Sequence, residues 1–303
     1  MPHIYDVLIF GAGQIAAGYD TPDSESILTH AHAIKKYSGF NLIGFYDKDT
    51  NKAKEASEKW QTVCYKTPEY ADIVVICTPD DVHIESIQQA VAFSPKLIIL
   101  EKPIARRFDD VLKIRSITEQ IPVQVNFSRR FVAEFQELSN SIKDYGKFLT
   151  GMGLYGKGFV HNGSHMIDLL KLLLGEITVL EIISEMHDFY DNDATKTLKL
   201  CFDCGGEYFM QGIDCRHYSV FELDLCFEKA RIKILDSGRL IQIFRPVNSK
   251  EYIGYMNLTL ENEIYPKIDN AMLNLYHNAY DYLETGKKLL SPIDGAITKG
   301  SYI

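Results

Sequence analysis

The chain has 303 residues, 46% of them hydrophobic and 24% charged, with a formal net charge of −9. That is room for two domains of ordinary size with the composition of a folded globular protein. Acids and bases are interspersed in a balance that repels phosphate backbones, and no run nears the roughly 20 apolar residues of a membrane span, so neither nucleic acid nor a membrane is expected as a partner.

In chain order, short apolar runs at residues 7–10, 42–46, 73–77, 97–100 and 123–126 read as buried strands. Helical stretches lie between them at 27–37, 51–60, 81–93 and 108–120, with Ile27, Ala31 and Ile34 sharing one face of the first. Strands joined by helical crossovers make a parallel, doubly wound sheet. Beyond residue 126 the rhythm changes. Helices are expected over 131–143 and Ser164–Leu174, the latter closed by Gly175. Strands then follow one another at 179–184, 197–204, 207–212, 218–227, 231–235, 240–244 and 252–260, with turns at 204–207 and 236–238. A last helix covers 271–285. This second half reads as an α+β domain with a large, mostly antiparallel sheet. The expected division is 1–126 and 127–303.

The first strand runs into Gly11-Ala12-Gly13-Gln14-Ile15-Ala16. Gly11 permits a tight turn, Gly13 lets the backbone approach a pyrophosphate, and Ala16 keeps the helix close to the strand. A GxGxxA turn opening a βαβ pattern is the context of a dinucleotide-binding Rossmann domain, with phosphate at the helix start. Gly18 and the polar residues 21–26 interrupt the helix that should follow, as an insertion at the rim of this site. Asp47 ends the second strand, where a carboxylate accepts hydrogen bonds from ribose hydroxyls and repels a 2′-phosphate. NAD is therefore expected over NADP, with Lys48 beside it able to soften the choice.

Cys201 and Cys204 have a metal-like spacing, but they sit in a strand and turn with no second pair to complete four ligands. His161, His165 and Asp168 spell HxxxHxxD, another arrangement that can hold a metal. No metal is expected at either. Six cysteines are too few for a disulfide scaffold, and the first residues lack a secretory signal, so a cytoplasmic location is expected.

Gly11-Ala12-Gly13, Thr78-Pro79 with His83, Glu101-Lys102-Pro103 after a strand, and Asn162-Gly163-Ser164-His165-Met166-Ile167-Asp168 occur in one order. That set resembles the Gfo/Idh/MocA family of oxidoreductases (glucose–fructose oxidoreductase, inositol dehydrogenase, rhizopine catabolism) over nearly the whole chain. The resemblance implies an NAD-dependent enzyme moving hydride between nicotinamide and the hydroxyl-bearing carbon of a sugar, sugar acid or nucleotide sugar. It implies that Lys102 lies near the nicotinamide and hydrogen-bonds the hydroxyl being oxidised, and that a cis bond precedes Pro103. Gly11, Gly13, Gln14, Ile15, Ala16, Asp47, Thr78, Pro79, His83, Glu101 and Lys102 are then the expected cofactor residues. His83 could equally be a surface histidine.

His165, in the first turn of its helix, is the candidate general acid/base, since a neutral imidazole suits proton transfer. Many relatives have aspartate where this chain has His161. A second imidazole cannot supply that negative charge, so either His161 is itself the base or Lys102 carries the proton. Arg130, Tyr155, Lys157, Asn162 and His165 are the expected substrate contacts, and Arg129-Arg130 with Lys157 suit a carboxylate or phosphate on a sugar. Two further readings stand beside the dehydrogenase: a glycosidase that oxidises its sugar transiently with retained NAD, and a non-catalytic NAD-sensing regulator. An open antiparallel sheet needs a cover, so a homodimer or homotetramer is expected.

Overall fold

The computed structural model describes residues 3–296, which form two compact units. One holds the described residues up to Phe131 together with those from Asp269 onward; the other is Val132–Ile268.

In the first unit, β1 (Tyr5–Phe10), β2 (Phe40–Tyr46), β3 (Val63–Tyr65), β4 (Ile73–Ile76), β5 (Leu97–Leu100) and β6 (Val123–Val125) form a wholly parallel sheet. Their order is β3-β2-β1-β4-β5-β6. Helices α1 (His30–Lys36), α2 (Thr50–Trp60), α3 (His83–Val91) and α4 (Phe108–Ile117) connect them. Every residue of β4 and β5 is buried, as unbroken apolar runs covered on both faces require. The strand order reverses between β1 and β4, and the crevice outside the carboxyl ends there is where such sheets take a ligand. Backbone bonds carry the ladder one step past the strands: Gly11 N–H donates to Tyr46 O, Cys77 to Phe10, Glu101 to Ile76 and Asn126 to Leu100. The glycine turn and the Glu101-Lys102 dipeptide thus stand level at one edge.

The expected interruption of the first helix is real. One π-helical turn, Gln14–Gly18, follows the glycines, and α1 starts only at His30. The carbonyls at the end of that turn are taken up by α2: Trp60 Nε1 donates to Ala17 O (3.0 Å), and Lys59 Nζ to the Ala17 and Gly18 oxygens. The loop between is tied by buried Asp20, which accepts from the Leu28 and Thr29 amides, the Thr29 hydroxyl and His32 Nδ1. Burial by itself would raise the Asp20 pKa; the Thr29 hydroxyl, the Leu28 amide and His32 outweigh it and hold the carboxyl below its ordinary value. Asp20→Ala is therefore expected to destabilise the chain by about 3 kcal/mol. Urea unfolding would measure that loss, and limited proteolysis should cut first within residues 21–28.

The division of the chain differs from the one expected. Helix α7 (Ala271–Thr285) belongs with the first unit, not the second. Tyr276 and Tyr280 pack their rings on Phe40, with Tyr5 and Tyr37 alongside Tyr280. Gln124 Nε2 in β6 donates to Leu275 O, and Asn274 to Phe131 O. Amphipathic spacing marks such a helix without saying which sheet it covers.

In the second unit, eight strands form one sheet: β7 (Phe148–Tyr155), β8 (Ile177–Tyr190), β9 (Asp193–Phe202), β10 (Glu207–Gly212), β11 (Phe221–Phe227), β12 (Arg231–Leu235), β13 (Leu240–Asn248) and β14 (Met256–Ile264). The order is β14-β13-β12-β11-β7-β10-β9-β8, antiparallel throughout except for β7 beside β10. Helices α5 (Ala133–Ser141) and α6 (Ser164–Leu174) complete the unit. Strand β7 escapes the sequence reading because Gly151 and Gly153 break its alternation. The Tyr208 side chain occupies the space a Cβ at either position would need, so these glycines mark a close approach, not a turn. Leu149, Met152, Ile183 and Phe209 of this sheet remain exposed. No described helix is long and apolar enough to cross a membrane.

Candidate functional site

At the sheet edge of the first unit, Gly11 adopts φ +90°, and a Cβ there would lie 2.6 Å from the Cys77 carbonyl carbon; only glycine fits. A Cβ on Gly13 would meet nothing within 4 Å, so open space stands over that stretch of backbone. Asp47 Oδ2 accepts the Ala12 amide (2.8 Å) and its Oδ1 the Asp49 amide (2.8 Å), which fixes the carboxylate beside the glycine turn. Lys48 is drawn aside by an ion pair with Glu85 (2.9 Å). Ala16 is fully buried, Ile15 partly so, and Gln14 exposed. A glycine cradle with room above it and a fixed carboxylate at its side fits a dinucleotide.

Thr78 follows β4 and its hydroxyl lies 3.0 Å from that of Ser86. His83 takes neither of its two expected positions. It is 1% exposed, with Nδ1 3.0 Å from Ile104 O and Nε2 3.0 Å from Thr78 O. It thereby sits between the Thr78-Pro79 turn and the segment after Lys102, with both ring nitrogens facing protein carbonyls. Glu101, expected to touch the cofactor, instead points inward. His30 Nε2 (2.9 Å) and Asn126 Nδ2 (2.6 Å) meet its Oε1, and His30 Nδ1 reaches the Tyr276 hydroxyl at 2.8 Å. Burial pushes the Glu101 pKa up, but the His30 bond and charge, the Asn126 bond and the Lys102 charge together hold it below the ordinary carboxylate value.

Lys102 is half-buried, and the bond between it and Pro103 is cis. Burial draws its ammonium pKa down; the Glu101 charge opposes this, Arg129 adds to it, and Asp80 opposes it. The net direction is downward. Asp80 is itself clamped by Arg106 through two hydrogen bonds of 2.8 and 2.7 Å. Arg130 lies with Arg129 in the short helical turn Ser128–Phe131 after β6.

In the second unit the expected substrate residues cluster in the segment between β7 and α6. Tyr155 is a correction: it is fully buried, and its hydroxyl donates to Lys196 O (2.7 Å) and accepts from Lys196 N–H (2.9 Å). A side chain so placed holds the loop to β9 and cannot reach a substrate. Asn162 Nδ2 donates to Gly156 O at 2.8 Å, closing the same loop. Lys157 has φ +63° and lays its ammonium 5.2 Å from the Phe189 ring centre. His165 is half-buried in the first turn of α6, and Asp168 is buried on that helix. Among the described residues, no three His, Cys, Asp or Glu side chains converge as metal ligands.

His161 has a carboxylate partner that its sequence neighbours do not supply. Asp193, the first residue of β9, accepts from His161 Nδ1 at 2.7 Å and from the Val160 and His161 amides at 3.0 and 2.9 Å. The imidazole stacks on Tyr190, centroids 4.3 Å apart and planes 24° from parallel. Beside it, Asp188 accepts from the Lys157 and Cys215 amides and the Thr195 hydroxyl, and that hydroxyl accepts the Gly158 amide. The end of the β8–β9 hairpin therefore grips the whole glycine-flanked loop with two aspartates.

Residues 5–127 match the oxidoreductase family Gfo/Idh/MocA, described as having an NAD-binding Rossmann fold. Over 138 residues the chain is 26% identical to an uncharacterized oxidoreductase of Synechocystis, a match spanning 42% of this chain and 34% of the relative's length. Among solved structures it is similar to the WlbA dehydrogenase of Bordetella pertussis in complex with NADH and UDP-GlcNAcA (TM-score 0.76, 14% identity, 97% of this chain and 92% of that one). It is similar also to a UDP-N-acetylglucosamine 3-dehydrogenase of Acidithiobacillus ferrooxidans (TM-score 0.75, 12% identity, 97% and 93% covered). Such identities speak for the fold. The Rossmann unit is that of an NAD-binding oxidoreductase, on the match of residues 5–127.

Proposed function

We propose that the chain is an NAD-dependent dehydrogenase acting on a secondary hydroxyl of a sugar, sugar acid or nucleotide sugar. The observation that carries this reading is Lys102: a half-buried amine with a lowered pKa, placed just past the carboxyl end of β5 in an NAD-binding sheet. A cation there can hydrogen-bond a substrate hydroxyl and stabilise an alkoxide as it forms. The bound nicotinamide supplies the hydride acceptor at C4. The chain's own residues orient the hydroxyl, take its proton and keep water away. The sugar class is supported by the names of the similar dehydrogenases. Asp47, fixed beside the glycine turn with Lys48 turned to Glu85, favours NAD over NADP. The exposed apolar side chains of the eight-stranded sheet favour a second copy of the chain as their cover.

The test is NADH formation at 340 nm over a panel of myo-inositol, glucuronate and UDP-N-acetylglucosamine, run with NAD and with NADP. The expected result is turnover with at least one substrate class and a preference for NAD. Replacing Asp47 by Ser should lower the NAD-to-NADP ratio of kcat/KM by about tenfold, or ~1.4 kcal/mol. Release of an aglycone with no net NADH would turn the reading to a redox-assisted glycosidase, and NAD binding without turnover to a regulator.

A further inference from the structure

We infer that Glu85 is a positioning residue for cofactor selection: it holds the Lys48 ammonium away from the adenosine ribose, where a 2′-phosphate would need a cation. This rests on the reading of Asp47 given above as the residue that favours NAD. Lys48 is the second residue past β2, and Glu85 lies in the first turn of α3, the helix that follows β4. In the sheet, β2 and β4 are the two neighbours of β1, whose end carries the glycine turn. The bond of 2.9 Å that Lys48 Nζ donates to Glu85 Oε2 therefore reaches across the end of β1, beside the crevice at which the strand order reverses. All of these residues belong to the first unit.

The carboxylates closest to Lys48 in the chain are committed elsewhere. Asp47 accepts the Ala12 and Asp49 amides, one through each oxygen. Asp49 caps α2 by accepting the Asn51 and Lys52 amides. Glu85 stands exposed at a helix start, where the dipole favours its ionised form. The outcome is an anion fixed beside the glycine turn, with the cation next to it in the chain drawn to a different partner.

NADP differs from NAD by a phosphate on the ribose 2′ oxygen. That phosphate meets Asp47 as a like charge, and it gains a partner when Lys48 swings back to it as a point charge. Lys48 and Glu85 are 64% and 52% exposed, so their pair is weak and screened by salt. Glu85 thus biases the choice by a few fold, in addition to the larger bias set by Asp47, and salt should erase its share.

The test is equilibrium binding to the full chain of NAD, NADP, AMP and adenosine 2′,5′-bisphosphate, with no need for turnover. Glu85→Gln keeps the length of the side chain and removes its charge, and its exposure means that the fold is not at stake. At low salt it should tighten NADP and the bisphosphate by roughly fivefold while moving NAD and AMP by less than about twofold. Adding Lys48→Met to it should cancel the gain, whereas Lys48→Met alone should change NADP binding little. At about 0.5 M salt the gain should vanish. A scaffold role for Glu85 would move both cofactors together. An equal gain for NAD and NADP, a gain that survives Lys48→Met, or an unchanged NADP affinity in Glu85→Gln overturns the inference while leaving a wild-type preference for NAD in place. A wild type that prefers NADP fails the Asp47 reading and the role of Glu85 with it.

Discussion

Lys102→Met is expected to leave the chain folded and able to bind NAD while lowering kcat/KM by about 10³-fold. The reasoning starts from its electrostatics. Burial disfavours the ammonium and Arg129 disfavours it further, with Glu101 and Asp80 only partly compensating. A side chain kept in that condition contributes nothing to stability through its charge, so methionine, of similar length and apolar, should match or slightly raise the melting temperature. Loss of turnover with retained or improved stability separates a chemical role from a scaffold role. Arginine should not rescue the activity. Its forked guanidinium is larger than the compact ammonium and would not fit the same half-buried position as a point donor. The measurements are steady-state kinetics, NAD titration by fluorescence and thermal unfolding on the same preparations.

Much of the first unit was legible because its determinants are local. Strand β5 was read to the residue, as was helix α6 of the second unit, and the glycine turn is dictated by φ +90° at Gly11 and its contact with the Cys77 carbonyl. What escaped the sequence depends on distant partners. Strand β7 was hidden because its glycines make room for Tyr208 more than 50 residues on. Tyr155 looked like a substrate contact from its position before α6, but its hydroxyl belongs to the Lys196 backbone. His83 and Glu101 sit in motifs that face the cofactor edge, yet Thr78 and Ile104 carbonyls hold the first, and His30 and Asn126 the second. Asp193 was invisible as a partner of His161 because strand register, not spacing, sets that pairing. The only local signal was an aspartate opening a strand after the Asp191-Asn192 turn. Conversely, the absence of an aspartate at position 161 was legible.

The second large effect is expected from Glu101→Ala, which should destabilise the chain by about 3–5 kcal/mol. Glu101 is 7% exposed, and its carboxylate is the shared acceptor of His30 Nε2 and Asn126 Nδ2. Truncation leaves both donors facing a void, and through His30 it loosens the Tyr276 hydroxyl of α7. Helix α7 and the cofactor edge should therefore fail together, seen as loss of hydrogen-exchange protection in α1 and α7. The pH dependence follows from the sign of the shift. The Glu101 pKa in the folded chain lies below its unfolded value, so the stability it confers is fully present above about pH 4.3. It is lost as pH falls through the folded pKa, where the native state must take up the proton that the unfolded chain already holds. Glu101→Gln keeps the shape and removes the charge, so its stability should decline less steeply below pH 4.3 than that of the wild type. The same variant withdraws the leading charge that supports the Lys102 ammonium, and the lysine pKa should fall further. Urea midpoints between pH 3 and pH 7 test the first effect, and the basic limb of kcat tests the second. If both profiles match those of the wild type, the network does not connect the fold to Lys102.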